Sequence, residues 1–351
     1  MTATLHPLPD APEFNDFSYL ELNDRGAYIR DDGSQVPVAD LTSYLHERIV
    51  LPKGVTDVFV WVHGWRNDRE RAIRTGRRLF NAITVQQKRD TARYPAAAPF
   101  VPAFVLVRWP SESNPLPWGY RKIRDRARNL TEKGAAEFFL AALLGYLDHD
   151  RAVRTTLQSA AGFYIHCVGH SFGGRFLTAA IGAAANPESP ATLSLLNQIG
   201  QQQRATLGAA SSAFQFNVDS LLVFQMAAGS SSFADHLRKL VDEAPIHGPV
   251  VLTHSRHDRA NCLWHRAGEN GERAIGCEGA REPADRAHGI AFKPLEQDYS
   301  RDDLYAHDIT NVDANWAFTS GGIAEGAHSD FWWEESIHLL LSVVNHARRA
   351  S

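Results

Sequence analysis

Residues 163–174 read Phe-Tyr-Ile-His-Cys-Val-Gly-His-Ser-Phe-Gly-Gly, and the fold turns on how this stretch is read. Its first six residues form the kind of near-continuous apolar run expected of a strand buried on both faces. Gly169-His170-Ser171-Phe172-Gly173 then fits the pattern G-x-S-x-G, and Phe176, Leu177, Ala180 and Ile181 recur at helical spacing beyond it. Strand, tight turn and helix is the context that gives this pattern chemical content. The serine is held in a strained backbone conformation that projects its hydroxyl, and side chains two positions to either side would collide with neighbouring backbone, hence Gly169 and Gly173. Ser171 also precedes a helix N-terminus, where the field favours negative charge. It is the candidate nucleophile.

Outward from this turn, short β-branched runs at 55–62, 100–107, 220–226 and 250–253 alternate with longer helical patterns. That rhythm predicts an α/β fold, a mostly parallel central sheet flanked by helices, with a last strand near 308–313. Residues 17–22 and 27–29, joined by Asn23-Asp24-Arg25-Gly26, read as an N-terminal β-hairpin at one edge. The organisation expected is an N-terminal extension over 1–54 and a catalytic domain over 55–351. Insertions at 186–217 and 259–305 are long enough to serve as lids or binding loops. After the first central strand, Ala72, Ile73, Gly76, Leu79, Phe80 and Ile83 mark one helix face, while Arg66, Arg69, Arg71, Arg74, Arg77 and Arg78 mark the other. Those arginines, and the basic run at 121–128, read as solvated helix faces.

A serine hydroxyl needs a base to take its proton and return it to the leaving group. Of the 16 histidines, His328 in Gly326-Ala327-His328-Ser329-Asp330 is the best placed, in a loop after the last strand. His338 and His346 fall within the C-terminal helix and read as packing or surface residues. The acid that orients the base is assigned to Asp258, after the 250–253 strand, with Asp235, Asp308 and Asp313 as rivals. Two main-chain N–H groups must face the developing oxyanion. Phe172, next to the nucleophile, supplies one and Trp65, in His63-Gly64-Trp65, the other. His63 is expected to brace that loop. Together with Trp109, Phe331 and Trp332 it is also a candidate for the substrate pocket, which should accept an apolar acyl or aryl group. Ser111 reads as structural.

The series VFVWVHGW (58–65), GHSFGG (169–174), SRHD (255–258) and GAHSD (326–330) resembles the α/β-hydrolase superfamily over nearly the whole core. The order nucleophile, acid, histidine is that of the family pattern. The resemblance implies a serine-esterase fold and cleavage of carboxylic esters through a Ser-His-Asp triad and an acyl-enzyme. Within the superfamily, Arg108-Trp109-Pro110-Ser111 is similar to a bacterial subfamily sharing an HG loop, a W-P-S turn and a GHS elbow, a similarity that implies no particular substrate. Other uses of the same residues are a noncatalytic partner-binding scaffold and an acyltransferase or amidase.

Composition narrows the partners. The 351 residues carry 36 Lys and Arg against 40 Asp and Glu, a net charge of −4 that calls for no nucleic acid. The longest apolar stretch, 135–147, falls short of the ~20 residues that cross a bilayer, so no membrane span is expected. The N-terminus lacks the basic start and apolar run of a secretory signal. Cys167, Cys262 and Cys277 are too few for a disulfide framework and read as free thiols, so a cytoplasmic location is expected. His254, His257 and His265 near Asp258 lack metal-site spacing, and no strand is followed by a nucleotide-binding glycine pattern. Neither metal nor cofactor is expected, and the partner is a small-molecule ester; nothing bears on oligomeric state.

Overall fold

The computed structural model describes residues 4–113, 117–153, 162–243, 246–269, 271–322 and 325–349. Among these residues eight strands form one sheet: β1 Ser18–Glu21, β2 Asp57–Val62, β3 Pro102–Arg108, β4 Tyr164–His170, β5 Ser220–Phe224, β6 Val250–His254, β7 Ala287–Ala291 and β8 Ile309–Asp313. Their order is β1-β3-β2-β4-β5-β6-β8-β7, and every neighbouring pair is parallel. Parallel neighbours need crossovers over a face. The longer ones among the first five strands carry α1 Leu41–Arg48, α2 Arg69–Arg89, α3 Pro117–Arg128, α4 Ala136–Val153, α5 Phe172–Gly182, α6 Pro190–Leu196 and α7 Gln201–Thr206, and a C-terminal helix, Glu334–Arg349, follows the last strand.

The two-residue period of a strand divides the core into two layers. Val58, Val60 and Val62 of β2 join Val105, Ile165, Cys167 and Val223 in a cluster closed by Phe138, Leu143 and Leu147 of α4 and Phe176 and Ile181 of α5. Phe59 and Trp61 face the other way, into a cluster with Leu79, Phe80 and Ile83 of α2 and Ile337, Leu340 and Val344 of the C-terminal helix. On the arginine-rich side of α2, Arg69, Arg71 and Arg74 are exposed as the spacing predicts, whereas Arg77 and Arg78 are half-buried, bonded to Asn15 and to the Leu8 carbonyl. Asp68 caps this helix by accepting from the N–H of Arg71 at 2.7 Å.

The five central strands and the last one stand where the sequence predicts them. The N-terminal hairpin does not form as expected. Asn23 does organise the turn, its Oδ1 accepting from the N–H of Arg25 and Ala27 at 2.8 and 3.1 Å. But the first segment, β1, lies parallel to β3 with Leu20 opposite Val107, and the return segment contributes only the isolated bridges Leu22–Tyr28 and Ile29–Gln35. Along β3 the first segment pairs over four residues, whereas toward the return segment it makes the single bridge Leu22–Tyr28. Leu20, Leu22, Tyr28 and Leu45 are buried in the same cluster as Val58, so residues of 1–54 share the core of the rest.

The long segments also carry structure the sequence does not signal. Residues 186–217 hold α6 and α7, which pack on α4 and bury Leu196, Ile199 and Leu207. The 259–305 segment contains β7, paired with β8; with His288, Gly289 and only one strong β-former, Ile290, it lacks the apolar run of a central strand. The same segment corrects the reading of the cysteines. Cys262 and Cys277 are joined in a disulfide, because the chain folds back to bring their Cα atoms to 5.0 Å, an approach that a spacing of 15 residues does not reveal. Cys167 is free and buried. No helix among the described residues is long and apolar enough to cross a membrane.

Candidate active site

β4 ends at His170 and α5 begins at Phe172, leaving Ser171 at φ 54°, ψ −122°. This positive φ is unfavourable for a residue with a Cβ and is held by its surroundings: the Ser171 N–H donates to the carbonyl of Phe224 at 2.9 Å. The two pattern glycines are required by contact. A Cβ at Gly169 would stand 2.9 Å from Cα of Gly174, and one at Gly173 would collide with the main-chain oxygen of Val62. Gly64 approaches from β2 just as closely, since a Cβ there would meet the His170 ring and lie 3.0 Å from Cβ of Ser171.

The loop after β2 is fixed from several sides. His63 Nδ1 donates to the Gly64 carbonyl at 2.8 Å and its Nε2 accepts from the N–H of Trp109 at 3.3 Å, while the Trp109 indole donates to the His63 carbonyl at 2.7 Å. Burial pushes the His63 imidazole down to about 4, so it braces this loop as a neutral ring. Asn67 Nδ2 donates to the carbonyls of Gly64 and Trp65, both at 3.0 Å. Ser111 Oγ accepts from the N–H of Asn67 and donates to its carbonyl, each at 3.0 Å, the structural role expected of it. With the Gly64 carbonyl held by two donors, the N–H of Trp65, in the same planar peptide, is turned the opposite way. Phe172 opens α5, where N–H groups have no intrahelical partner.

His328 and Asp258 arrive on the loops after β8 and β6. His328 Nε2 is 2.8 Å from Ser171 Oγ, and its Nδ1 is 2.9 Å from Asp258 Oδ2. With the carboxylate as acceptor, Nδ1 carries the proton and Nε2 accepts from the serine hydroxyl. Ser171, Asp258 and His328 are all buried. The rival acids lie elsewhere: Asp308 pairs with Arg286 at 2.7 Å, Asp313 accepts from the N–H of Asn315, and Asp235 is exposed. His338 and His346 are buried in the C-terminal helix, their Nε2 atoms bonded to the carbonyls of Gln297 and Tyr299, packing residues as anticipated.

Three residues that the sequence reading passed over complete the site. Gln225, just past β5, donates from Nε2 to Asp258 Oδ2 at 3.1 Å and to the Ala327 carbonyl at 2.8 Å. Asn261 donates to the same carboxylate from its N–H and from Nδ2, at 2.9 and 2.7 Å. His170 is held well below the ordinary imidazole range by burial. Its Nε2 donates to the His328 carbonyl at 2.7 Å. Of these, Asn261 had a usable signal, since an Asp at a helix N-cap accepts from the N–H of the residue three positions on.

Strand order, the serine turn between β4 and α5, and an acid and a histidine on the loops after β6 and β8 together decide the architecture. The fold is that of an α/β-hydrolase. No protein-family model and no curated protein matches the chain. Among solved structures it is similar to esterase B from Lactobacillus rhamnosis inhibited by a C4-C4 SN3 tributyrin phosphonate, at 12% identity over 86% of this chain and 79% of that one, with a TM-score of 0.33. It is likewise similar to esterase B from Lactobacillus rhamnosis (HN001), at 12% identity over 86% and 78%, with a TM-score of 0.33.

Around Ser171 and His328 the aromatics divide. Phe331 and Trp332 line a cavity of about 30 Å³ with His63, Gly64, Trp65 and His170, too small for a substrate as it stands. Trp109, expected in the pocket, is not among its lining residues. It is fully buried beneath the loop, where it packs on His63, Phe172 and Phe176. Tyr120 and Trp264 each meet the ring of Trp65 edge-on, and Tyr120 also packs at a tilt on Phe172. A separate cavity, about 460 Å³, is lined by Arg175, Glu137 and Lys239 and includes neither Ser171 nor His328. Among the described residues no group of His, Cys, Asp or Glu is arranged to hold a metal.

Proposed function

We propose that the protein is a serine hydrolase of small-molecule carboxylic esters, with Ser171 as nucleophile, His328 as general base and acid, Asp258 as the residue that orients it, and the N–H groups of Trp65 and Phe172 as oxyanion donors. The observation that carries this reading is the 2.8 Å approach of His328 Nε2 to Ser171 Oγ, with Asp258 at 2.9 Å on the opposite ring nitrogen. Ser171 Oγ attacks the ester carbonyl carbon as its proton passes to Nε2, and the carbonyl electron pair moves to oxygen. Collapse expels the alcohol, which takes the proton from Nε2 and leaves an acyl-serine. Water, giving its proton to the same nitrogen, then attacks the acyl carbon; collapse releases the acid, and Ser171 Oγ takes the proton back from Nε2. Asp258 stays ionised throughout, stabilising the imidazolium. Phe331, Trp332 and Trp65 at the adjoining cavity support an apolar acyl or aryl group, once side chains there yield space.

Labelling tests the reading. A fluorophosphonate is expected to modify the wild-type protein at Ser171. Ser171→Ala should lose both labelling and turnover of p-nitrophenyl esters while keeping its circular dichroism spectrum. Turnover undiminished in that variant would sink the assignment.

A further inference from the structure

Gln225 stands where β5 ends, at φ 48°, a conformation that side chains other than glycine's adopt only when the surroundings impose it. Here they do. Its N–H is 3.2 Å from the carbonyl and 3.1 Å from Oγ1 of Thr253, and its own carbonyl accepts from Asn261 Nδ2 at 2.9 Å. The side chain is fully buried, and the two atoms its terminal nitrogen meets, Asp258 Oδ2 and the Ala327 carbonyl, are both acceptors. They fix which end of the amide is the amino group, and they leave the buried Oε1 without a partner. Asn261 repeats the arrangement: Nδ2 faces Asp258 Oδ2 and the Gln225 carbonyl, and the buried Oδ1 has no partner. Two buried amides thus each leave a carbonyl oxygen unpaired, at a real cost in stability, and both direct their amino groups to one carboxylate.

We propose that Gln225 is a positioning residue of this site, its amide locking the Asp258 carboxylate and the main chain in front of His328 into one geometry while Asn261 loads the remaining carboxylate lone pairs. The proposal rests on the catalytic reading of Ser171, His328 and Asp258. Asp258 Oδ2 receives three donors, from His328, Asn261 and Gln225, and Oδ1 receives the N–H of Asn261. Hydrogen bonds to a carboxylate favour its charged form and weaken its hold on a further proton. Without the Gln225 donor, the Asp258–His328 pair binds its shared proton more tightly, and Nε2 stays protonated to higher pH. The other titratable groups facing the pair do not compete with this signal. His170, from β4, has its ring 5.0 Å from that of His328, and Tyr120, from α3, lies within the field of Asp258; burial keeps both neutral around pH 7. The side chain of Arg259 lies against Gly326, next to the histidine loop.

The full chain is compared with Gln225→Met, which removes both donors, and Gln225→Glu, which keeps the length but offers acceptors. Three readouts are taken: kcat and KM on a p-nitrophenyl ester per fluorophosphonate-labelled site, the pH profile of kcat/KM, and the titration of the His328 ring by NMR. Both variants should lose about 10- to 100-fold in kcat per labelled site, the range for losing hydrogen bonds to a charged group, with KM within about twofold. The acid limb and the His328 titration should both move to higher pH, further in Gln225→Glu because of like charge. Wild-type kcat per labelled site together with an unmoved His328 titration would overturn the role given to Gln225. Should Gln225→Met fail to fold, Asn261→Asp, which replaces one donor by an acceptor, must move the same titration or the role falls. An inert, unlabelled wild-type protein whose His328 titration still moves in the variants would instead refute the proposed hydrolase and leave the positioning intact.

Discussion

The Nε2–H of His170 donates to the main-chain carbonyl of His328 at 2.7 Å, so the residue before Ser171 holds the backbone that carries the His328 ring. The two residues come from the end of β4 and from the loop after β8, 158 positions apart in sequence. With Gln225 on the Ala327 carbonyl, successive peptide oxygens of the histidine loop are gripped from two strands. Such bracing supplies the pre-organised geometry on which proton transfer depends. His170→Ala is therefore expected to lower kcat by about tenfold, the worth of one hydrogen bond, while Ser171 still labels. Steady-state rates normalised to titrated sites check this, and an unchanged kcat would show that the loop holds itself.

The acid can be assigned by contrast. Asp258→Asn should cost about 10⁴ in kcat, because the amide stabilises the wrong imidazole tautomer. Asp308→Asn, which loses only a partly exposed pair with Arg286, should stay within about twofold of wild type, as surface pairs are worth little. Kinetics of the two variants at one pH decide the matter. Equal losses would return the acid to the loop near β8.

Much of this site is legible in the sequence because its requirements are local. Gly169, Ser171 and Gly173 report a backbone conformation that only small flanking residues permit, and the apolar run before them reports burial on both faces. Asp258 and His328 are recognisable because each follows a strand. What escapes is whatever depends on tertiary approach. Gln225 earns its place through contacts with residues 33 and 102 positions away, β7 is a strand because the edge of β8 is available, and β1 is a strand of the sheet because the edge of β3 is. The Cys262–Cys277 bond belongs to the same class, since composition speaks of how many disulfides a chain needs and not of which two sulfurs meet.

That bond joins the turn of the acid to the segment behind β5. The N–H of Cys262 donates to the carbonyl of Asp258 at 2.9 Å, and the N–H of Gly276, beside Cys277, donates to that of Met226, also at 2.9 Å. Closing a loop of 15 residues is worth about 3 kcal/mol in the chain-entropy account. Cys262→Ser with Cys277→Ser should lower the melting temperature by several degrees, and dithiothreitol should lower that of the wild type but not of the double variant. A reductant-insensitive wild type would mean the two sulfurs are not joined in solution.

The glycines of the serine turn make a stricter test. Gly173→Ala would drive a methyl group into the main-chain oxygen of Val62 in β2, which cannot give way without disturbing the sheet, so soluble protein should be lost. Gly64→Ala meets a side chain instead, the His170 ring, and Cβ of Ser171. Its cost should fall on activity more than on stability. Comparing melting temperature with labelling rate separates the two, and a fully active Gly64→Ala protein would mean the loop stands further from Ser171 than described.

Glu137 gives the protein a pH dependence of stability that is independent of catalysis. It lies in the first turn of α4, buried, with Oε1 accepting from the N–H of Ser189 at 3.4 Å. The nearby Lys239 is engaged by Glu188 at 3.1 Å. Burial therefore raises its carboxyl from 4.5 to about 7. A folded value above the unfolded one means that the native state binds more protons between the two, so stability falls as pH rises from about 4.5 through 7 and levels off above. The full effect corresponds to about 3 kcal/mol. Glu137→Gln keeps the shape and cannot ionise. It should flatten the dependence between pH 5 and 7 and be the more stable protein at pH 8, where the wild type must carry the buried charge. Urea unfolding at pH 5 and pH 8 measures both slopes, and a variant as pH-dependent as the wild type would mean that Glu137 is solvated in its ionised form.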